Sequence, residues 1–286
     1  MQEFDDIYDK EITKRYHDYE LKRLSKRKNR KRTTGAGRPF KLDLRNRFLM
    51  LLIYYRLYIT YTLAGFLFDL DQSSICRDIQ KIEGLVRQCL PIPQKMYPIT
   101  KRLKTPEEVE KYFPGFLAFI DSTEQQIPRP VDKEKRKEYY SGKKKRHTVK
   151  NQIMVNNCGL ILHKANHHKK GRRHDYDIYK KNHPVAPKQV VNVIDLGYLG
   201  VENDFPEQLS ALPCKKKRNC ELSVEEEKEY NKIHSKKRIV IEHTICRLKK
   251  YRIMSDIFRN RLRKYDRISD IVAGLVNYRK INQQSL

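Results

Sequence analysis

The sequence predicts an α/β layer fold with a mixed sheet, preceded by an all-α module. Three observations carry this expectation. Helical apolar spacing runs through residues 42–90. A proline-rich segment, PIPQKMYPITKRLKTPEE at 91–108, then breaks the pattern. Beyond it, short apolar runs alternate with helical stretches, the order of a layered α/β domain. The 286 residues suffice for one large domain or two smaller ones. The expected division is a basic flexible arm at 1–38, a helical module at 39–92, a linker at 93–115 and the α/β domain at 116–286.

Lys and Arg number 62 against 35 Asp and Glu, a formal net charge of +27. Self-repulsion on that scale suits a polyanionic partner, with nucleic acid ahead of an anionic membrane surface. Residues 22–38, KRLSKRKNRKRTTGAGR, hold nine Lys or Arg and no acid, so they read as a flexible arm for DNA phosphates. Leu44, Phe48, Leu51, Leu52 and Tyr55 mark a helix over 42–58. Residues 60–90 read as two helices about a turn near Asp69–Asp71, which resembles a helix-turn-helix. Ser73, Ser74, Arg77, Gln80 and Lys81 open its second helix, offering short polar and basic groups to a DNA groove, while Ile75, Ile79, Ile82, Leu85 and Val86 form the packed stripe. FLMLLIYYRLYITYTLAGFLF, 48–68, is long enough to span a bilayer, but Arg56 near its centre and four tyrosines assign it to buried helices.

In the second half, FLAFID (116–121) and VVNVID (190–195) read as strands that each end on an acid. Residues 145–157 and 160–169 read as a hairpin turning at Asn157-Cys158-Gly159. Residues 174–182 are expected to be helical, 209–215 a short strand, 224–234 a helix opened by a Ser223–Glu226 capping box, 236–253 a longer helix and 264–282 a final amphipathic one. Six scattered cysteines give no zinc spacing and suit reduced cytosolic thiols. The His167–His168 pair is expected to point to opposite faces of a strand, as solvated or phosphate-facing groups.

Functional groups of α/β sheets gather at the carboxyl ends of strands. Asp121 and Asp195 on neighbouring strands would repel each other without a cation, and two hard oxygen donors suit Mg²⁺ or Mn²⁺. Glu242 is the third candidate: on a helix, Arg238, Glu242 and Lys249 share one polar stripe beside Ile241, Ile245 and Leu248.

The blocks IDSTEQQIPRP (120–130), YYSGKKKRHTVKNQ (139–152), GRRHDYDIYK (171–180), IDLGYLG (194–200) and RIVIEHTICRLKKYRI (238–253) together resemble the DDE transposases of bacterial insertion sequences. The insertion-sequence-five family, related to Harbinger-type transposases, is the nearest in pattern. The resemblance implies a ribonuclease-H-like mixed sheet with flanking helices and a triad of Asp121, Asp195 and Glu242 as catalytic residues and metal ligands. It also implies an Arg–Glu–Lys set met by Arg238, Glu242 and Lys249, and an auxiliary pair, His174 and Asp175, which are not read as ligands. Ser122 replaces a common glycine, Leu196 stands where a small polar residue is usual, crowding the metal site, and Ser235 takes the place of a tyrosine.

The activity so implied is two-metal phosphoryl transfer with two Mg²⁺ or Mn²⁺ ions: water nicks DNA at the element's ends, and the freed 3′-hydroxyl joins target DNA. The basic block Lys143, Lys144, Lys145, Arg146 and His147, with Arg238 and Lys249, would touch the DNA. The partners implied are double-stranded terminal repeats and target DNA, with a homodimer or larger synaptic complex, on the nucleoid in the cytoplasm and away from membranes. The competing readings are an inactive transposase-derived DNA-binding protein and a basic RNA-binding protein.

Overall fold

In a computed structural model of the chain, residues 5, 7–25, 40–214 and 224–284 are described. A π-helical turn, Tyr8–Ile12, runs into helix α1 (Thr13–Ser25). This corrects the expectation of a flexible arm for residues 8–25. Ile7 and Ile12 are buried in the main core, an apolar anchor masked by the charged composition around them. The rest of the basic run, from residue 26, lies outside the described residues.

Three capped helices follow: α2 (Leu44–Leu57), α3 (Tyr61–Phe68) and α4 (Gln72–Cys89). Asp43, Thr60 and Asp71 each accept a hydrogen bond from a backbone N–H of the first turn. The segment 48–68 is divided at Tyr58, whose backbone is left-handed (φ 51°). No helix among the described residues is long and apolar enough to cross a membrane. Gly65 is what lets α3 meet the turn, because a Cβ there would lie 2.5 Å from the Leu70 carbonyl oxygen. Two buried polar contacts lock α2 to α4: Arg47 pairs with Asp78 at 3.1 Å, and the Tyr55 hydroxyl donates to Glu83 at 3.0 Å.

The prolines of the linker begin helices rather than only ending one. Pro93 and Pro106 occupy first helical positions of α5 (Pro93–Thr100) and α6 (Pro106–Tyr112), where a missing N–H has no helical partner to lose. Thr105 and Glu108 close a capping box on α6.

The α/β domain is built on β1 (Leu117–Gln126), β2 (Tyr140–Ser141), β3 (Arg146–Asn156), β4 (Ile161–Lys164), β5 (Lys169–Lys170), β6 (Val191–Val193) and β7 (Ser210–Ala211). The order is β2-β3-β1-β6-β7, with β4 and β5 also paired to β3. β1 lies antiparallel to β3 and parallel to β6, so the sheet is mixed as expected. Short helices α7 (Lys133–Tyr139), α8 (Asp175–Asn182) and α9 (Val201–Asp204) connect the strands. α10 (Val224–Lys249) is one continuous helix where two are expected, since Ser235 at the supposed break is no helix breaker. Ser223, of the expected capping box, lies outside the described residues. α11 (Arg252–Ser255) and α12 (Tyr265–Gln284) complete the chain.

Both faces of the sheet are covered. Phe119, Val149 and Ile153 join the core shared with α2, α4, α10 and α12. Ala118, Ile120 and Met154 pack on the other side with Val109, Phe113, Tyr179 and Tyr198. Asn277 of α12 accepts from the Ile161 amide at 2.8 Å and donates to the Ile161 and Pro91 carbonyls at 2.9 Å, tying β4 to the helical module.

Candidate active site

Asp121 sits in the middle of β1, paired in register with Ile153, not at the strand's end. The sequence misleads here because its apolar run stops, while the ladder to β3 continues through the polar residues Ser122–Gln126. Strand alternation turns Asp121 to the same face as Phe119, toward α10. Asp195 lies two residues beyond β6 and caps a 3₁₀ turn, Leu196–Tyr198, accepting from the Gly197 amide at 2.8 Å. That turn directs Leu196 outward to solvent, not into the site.

The two carboxylates converge on one cation. Arg238 Nη2 lies 3.1 Å from Asp121 Oδ2 and 4.0 Å from Asp195 Oδ2. Burial holds the Asp121 carboxyl above its ordinary range, Arg238 and the Ser122 amide draw it down, and Asp195 and Asp175 push it up. The buried stripe of α10 is His234, Arg238, Ile241, Thr244 and Leu248. Arg238 is therefore on the packed side of the helix, and Glu242 and Lys249 border it. Glu242 is exposed, one turn and roughly 6 Å along the axis from Arg238. Among the described residues, no group of three or more His, Cys, Asp or Glu is gathered to hold a metal ion. Lys249 has its ammonium pulled down by partial burial and by Lys144, with Cys246, Glu124 and Asp121 opposing, so it shares the electrostatic neighbourhood of the acids.

Hard divalent cations fit these residues. Two carboxylates offer oxygen donors and already share a positive group. Burial leaves Asp121 short of compensation, and Arg238 Nη1 is buried with no acceptor of its own. Asp121 and Asp195 would be the first ligands, and Glu242 the one available from α10.

A second layer of polar residues escapes a reading of the sequence. The buried Tyr198 hydroxyl lies 3.4 Å from Ser122 Oγ and accepts from Gln152 Nε2 at 3.1 Å, fixing the exit of β6 against β1 and β3. Lys150 is buried between Glu124 at 3.4 Å and Asp175 at 3.2 Å, and donates to the Arg173 carbonyl at 2.9 Å. Asp175 thus fastens the first turn of α8 to β3, while His174 precedes it at the cap without a capping bond from its side chain. The IDLGYLG block already holds Tyr198, but only the fold shows what its hydroxyl meets. His167 and His168 do not alternate on a strand. They precede β5, and both face Asp266, with Nδ1 to Oδ2 distances of 3.7 and 3.1 Å.

On α4, Ser73, Arg77, Gln80 and Lys81 are exposed on one stripe, whereas Ser74 is half-buried and donates its hydroxyl to Asp71. Lys81 lies over the Phe40 ring at 5.1 Å. Tyr16, Tyr19, Gln80, Lys81, Gly84 and Gln88 line a cleft between α1 and the second half of α4. Lys143, Lys144 and Lys145 form the turn between β2 and β3, all exposed, and Arg146 donates to Gln126 at 2.7 Å at the start of β3.

A mixed sheet with one acid on β1 and another just past the neighbouring β6, faced by a basic helix and preceded by a helix-turn-helix, defines a nuclease-type α/β protein with a helix-turn-helix module. Comparison with known proteins agrees. Residues 120–277 match the family described as DDE superfamily endonuclease, and residues 40–92 match the helix-turn-helix of DDE superfamily endonuclease. The chain is 33% identical over 251 residues to a Microchaete diplosiphon protein described as a probable transposase for insertion sequence element IS702, covering 87% of this chain and 85% of that one. No solved structure matches. The chain belongs to the DDE superfamily of endonucleases and transposases.

Proposed function

We propose that this chain is a transposase of the insertion-sequence-five, Harbinger-like branch, which cuts DNA at the ends of its element and joins those ends to target DNA. The observation that carries the reading is the convergence of Asp121 and Asp195 on a single cation position at Arg238. Asp121, Asp195 and Glu242 would hold two Mg²⁺ or Mn²⁺ ions, which would supply activation of the attacking oxygen and neutralise charge on the leaving one. The chain's own residues bind and aim. Ser73, Arg77 and Lys81 seat the duplex on α4, with Ser74 supporting them through the cap. Lys249 holds the strand beside the acids, Lys143–Arg146 and His147 touch the DNA farther along it, and Arg238 supplies positive charge beside the reacting phosphate. Water oxygen bonds to phosphorus as the bond to O3′ breaks, which frees a 3′-hydroxyl. That hydroxyl then attacks a target phosphodiester and displaces its O3′. Two element ends are brought together by a homodimer or larger assembly acting on the nucleoid.

The test is strand cleavage and joining on duplexes that carry the inverted repeats flanking the gene, with and without Mg²⁺ or Mn²⁺. Asp121→Ala, Asp195→Ala and Glu242→Gln should each abolish both steps while duplex binding persists. Full activity of Asp195→Ala would refute the assignment. Tight, salt-sensitive binding with no cutting in either metal would instead mark a DNA-binding derivative.

A further inference from the structure

A cleft opens at the far end of β3 from the acids, between α7, the β2–β3 hairpin and the loop after β5. Arg129, Arg136, Lys137, Tyr140, His147 and Arg172 line it. No acid is among the lining residues. Of the nearby carboxylates, Glu138 pairs with Lys170 and Asp132 caps the first turn of α7. Among the described residues, no carboxylate pairs with Arg129, Arg136, Lys137 or Arg172.

The cleft is built rather than incidental. Arg136 Nε and Nη2 donate to the Pro130 and Val131 carbonyls at 2.8 Å, which fixes the fork and the loop carrying Arg129. Tyr140 and His147 are cross-strand partners, edge to face at 5.7 Å. Gly171 lets the following loop press onto β3, since a Cβ there would lie 2.1 Å from Thr148 Oγ1 and 2.8 Å from the Tyr139 carbonyl oxygen. The Arg172 amide then donates to the Glu138 carbonyl at 3.2 Å, holding Arg172 at the rim.

Its position relates it to the acids. His147 is six residues along β3 from Ile153, the register partner of Asp121, and equal parity puts it on the same face of the strand. At ~3.3 Å per residue the separation is roughly 20 Å. The Lys143–Lys145 turn continues the same basic surface. Several cations without a carboxylate partner, three of them guanidinium forks, suit phosphate oxygens, and a surface continuous with the acids suits a polyanion.

We propose that this cleft is a phosphate subsite for duplex DNA, gripping the backbone about six base pairs from the phosphate at Asp121 and Asp195, at ~3.4 Å per base pair. The proposal rests on the transposase reading above. The experiment uses the full chain and 40-base-pair duplexes, one carrying the flanking inverted repeat and one of unrelated sequence, titrated by fluorescence anisotropy between about 50 and 200 mM KCl. Arg129→Gln/Arg172→Gln should weaken binding to both duplexes several-fold and lower the salt slope by about one for each phosphate no longer neutralised. Arg129→Lys/Arg172→Lys should keep the slope. A neutral methylphosphonate about six base pairs from the mapped cleavage point should weaken the wild type but not the Gln double variant. An unchanged slope in that variant, or a methylphosphonate effect that survives in it, overturns the subsite and leaves the function standing. Failure of the wild type to bind either duplex, or displacement by single-stranded RNA in preference to duplex, overturns both.

Discussion

Asp270 joins the reading module to the catalytic core, and removing it should uncouple the two. Its side chain is 2% exposed, within α12. Arg87, at the end of α4, donates to Oδ2 at 3.1 Å. Lys164 of β4 lies 3.0 Å from Oδ1, off hydrogen-bond geometry, so that contact is Coulombic. The Lys164 side chain is only 2% exposed and its other contact is the Ala165 carbonyl at 3.4 Å. Asp270→Ala therefore strands a buried ammonium, a change that typically costs about 3–5 kcal/mol. Replacing both partners with apolar residues of similar size, as in Asp270→Leu/Lys164→Met, removes the stranded charge and should recover most of that loss. Urea denaturation at pH 7 with constant m-value reads the difference directly. The reasoning fails if Asp270→Ala loses less than about 1 kcal/mol, or if the double replacement is no more stable than the single one.

His163 predicts an acid weakness. Burial, with Lys164, Lys101 and His183 nearby, pushes its imidazole from 6.5 down to about 3. A depressed folded-state value means the contribution is complete above the unfolded value near 6.5 and falls away as pH drops below it. The loss by pH 5 is about 2 kcal/mol, and His163→Phe should remove that part of the pH dependence in denaturation at about pH 5 and 7.5. Gly65→Ala forces a Cβ onto the Leu70 carbonyl oxygen and should lower stability by about 1–3 kcal/mol, seen as a drop in Tm. On α4, Arg77→Ala should weaken duplex binding and cut the salt slope by about one. Ser74→Ala removes a donor to the Asp71 cap and a long acceptor for Arg77 Nη2 at 3.4 Å, and should cost about 1 kcal/mol of stability with the slope unchanged. The reverse pattern in anisotropy titrations would misassign the two faces.

The helix-turn-helix is legible in the sequence because its signals are local: an apolar stripe, acids at the turn, and short polar and basic residues opening the second helix. The two acids are legible as strand-end residues only approximately. Asp121 is mid-strand, because hydrogen bonding to β3 extends β1 through polar residues that no hydrophobic pattern marks. Asp195 falls beyond β6. The linker helices are hidden when proline is read as a breaker, since Pro93 and Pro106 start helices. The arm's first half is hidden by charge, with Ile7 and Ile12 outvoted by their neighbours. What pattern reading does not reach is contact between distant segments: Lys150 with Glu124 and Asp175, Tyr198 with Ser122 and Gln152, and the basic cleft drawn from residues 129 to 172.

In the proposed reading, the acids and the surrounding cations solve one electrostatic problem together. Two facing carboxylates under a DNA strand repel both each other and the substrate phosphates. Arg238 offsets the first repulsion directly, at 3.1 and 4.0 Å, and Lys249 and Lys144 offset the second from the rim. Divalent cations between the acids would take over the first task and leave the guanidinium without its role there. Its unsatisfied, buried Nη1 shows that the present arrangement does not use all its donors. The same helix carries Glu242 one turn away and still in solvent. In that reading Arg238 would turn toward phosphate and Glu242 toward the acids, on a helix held along its packed stripe by Ile241, Thr244 and Leu248.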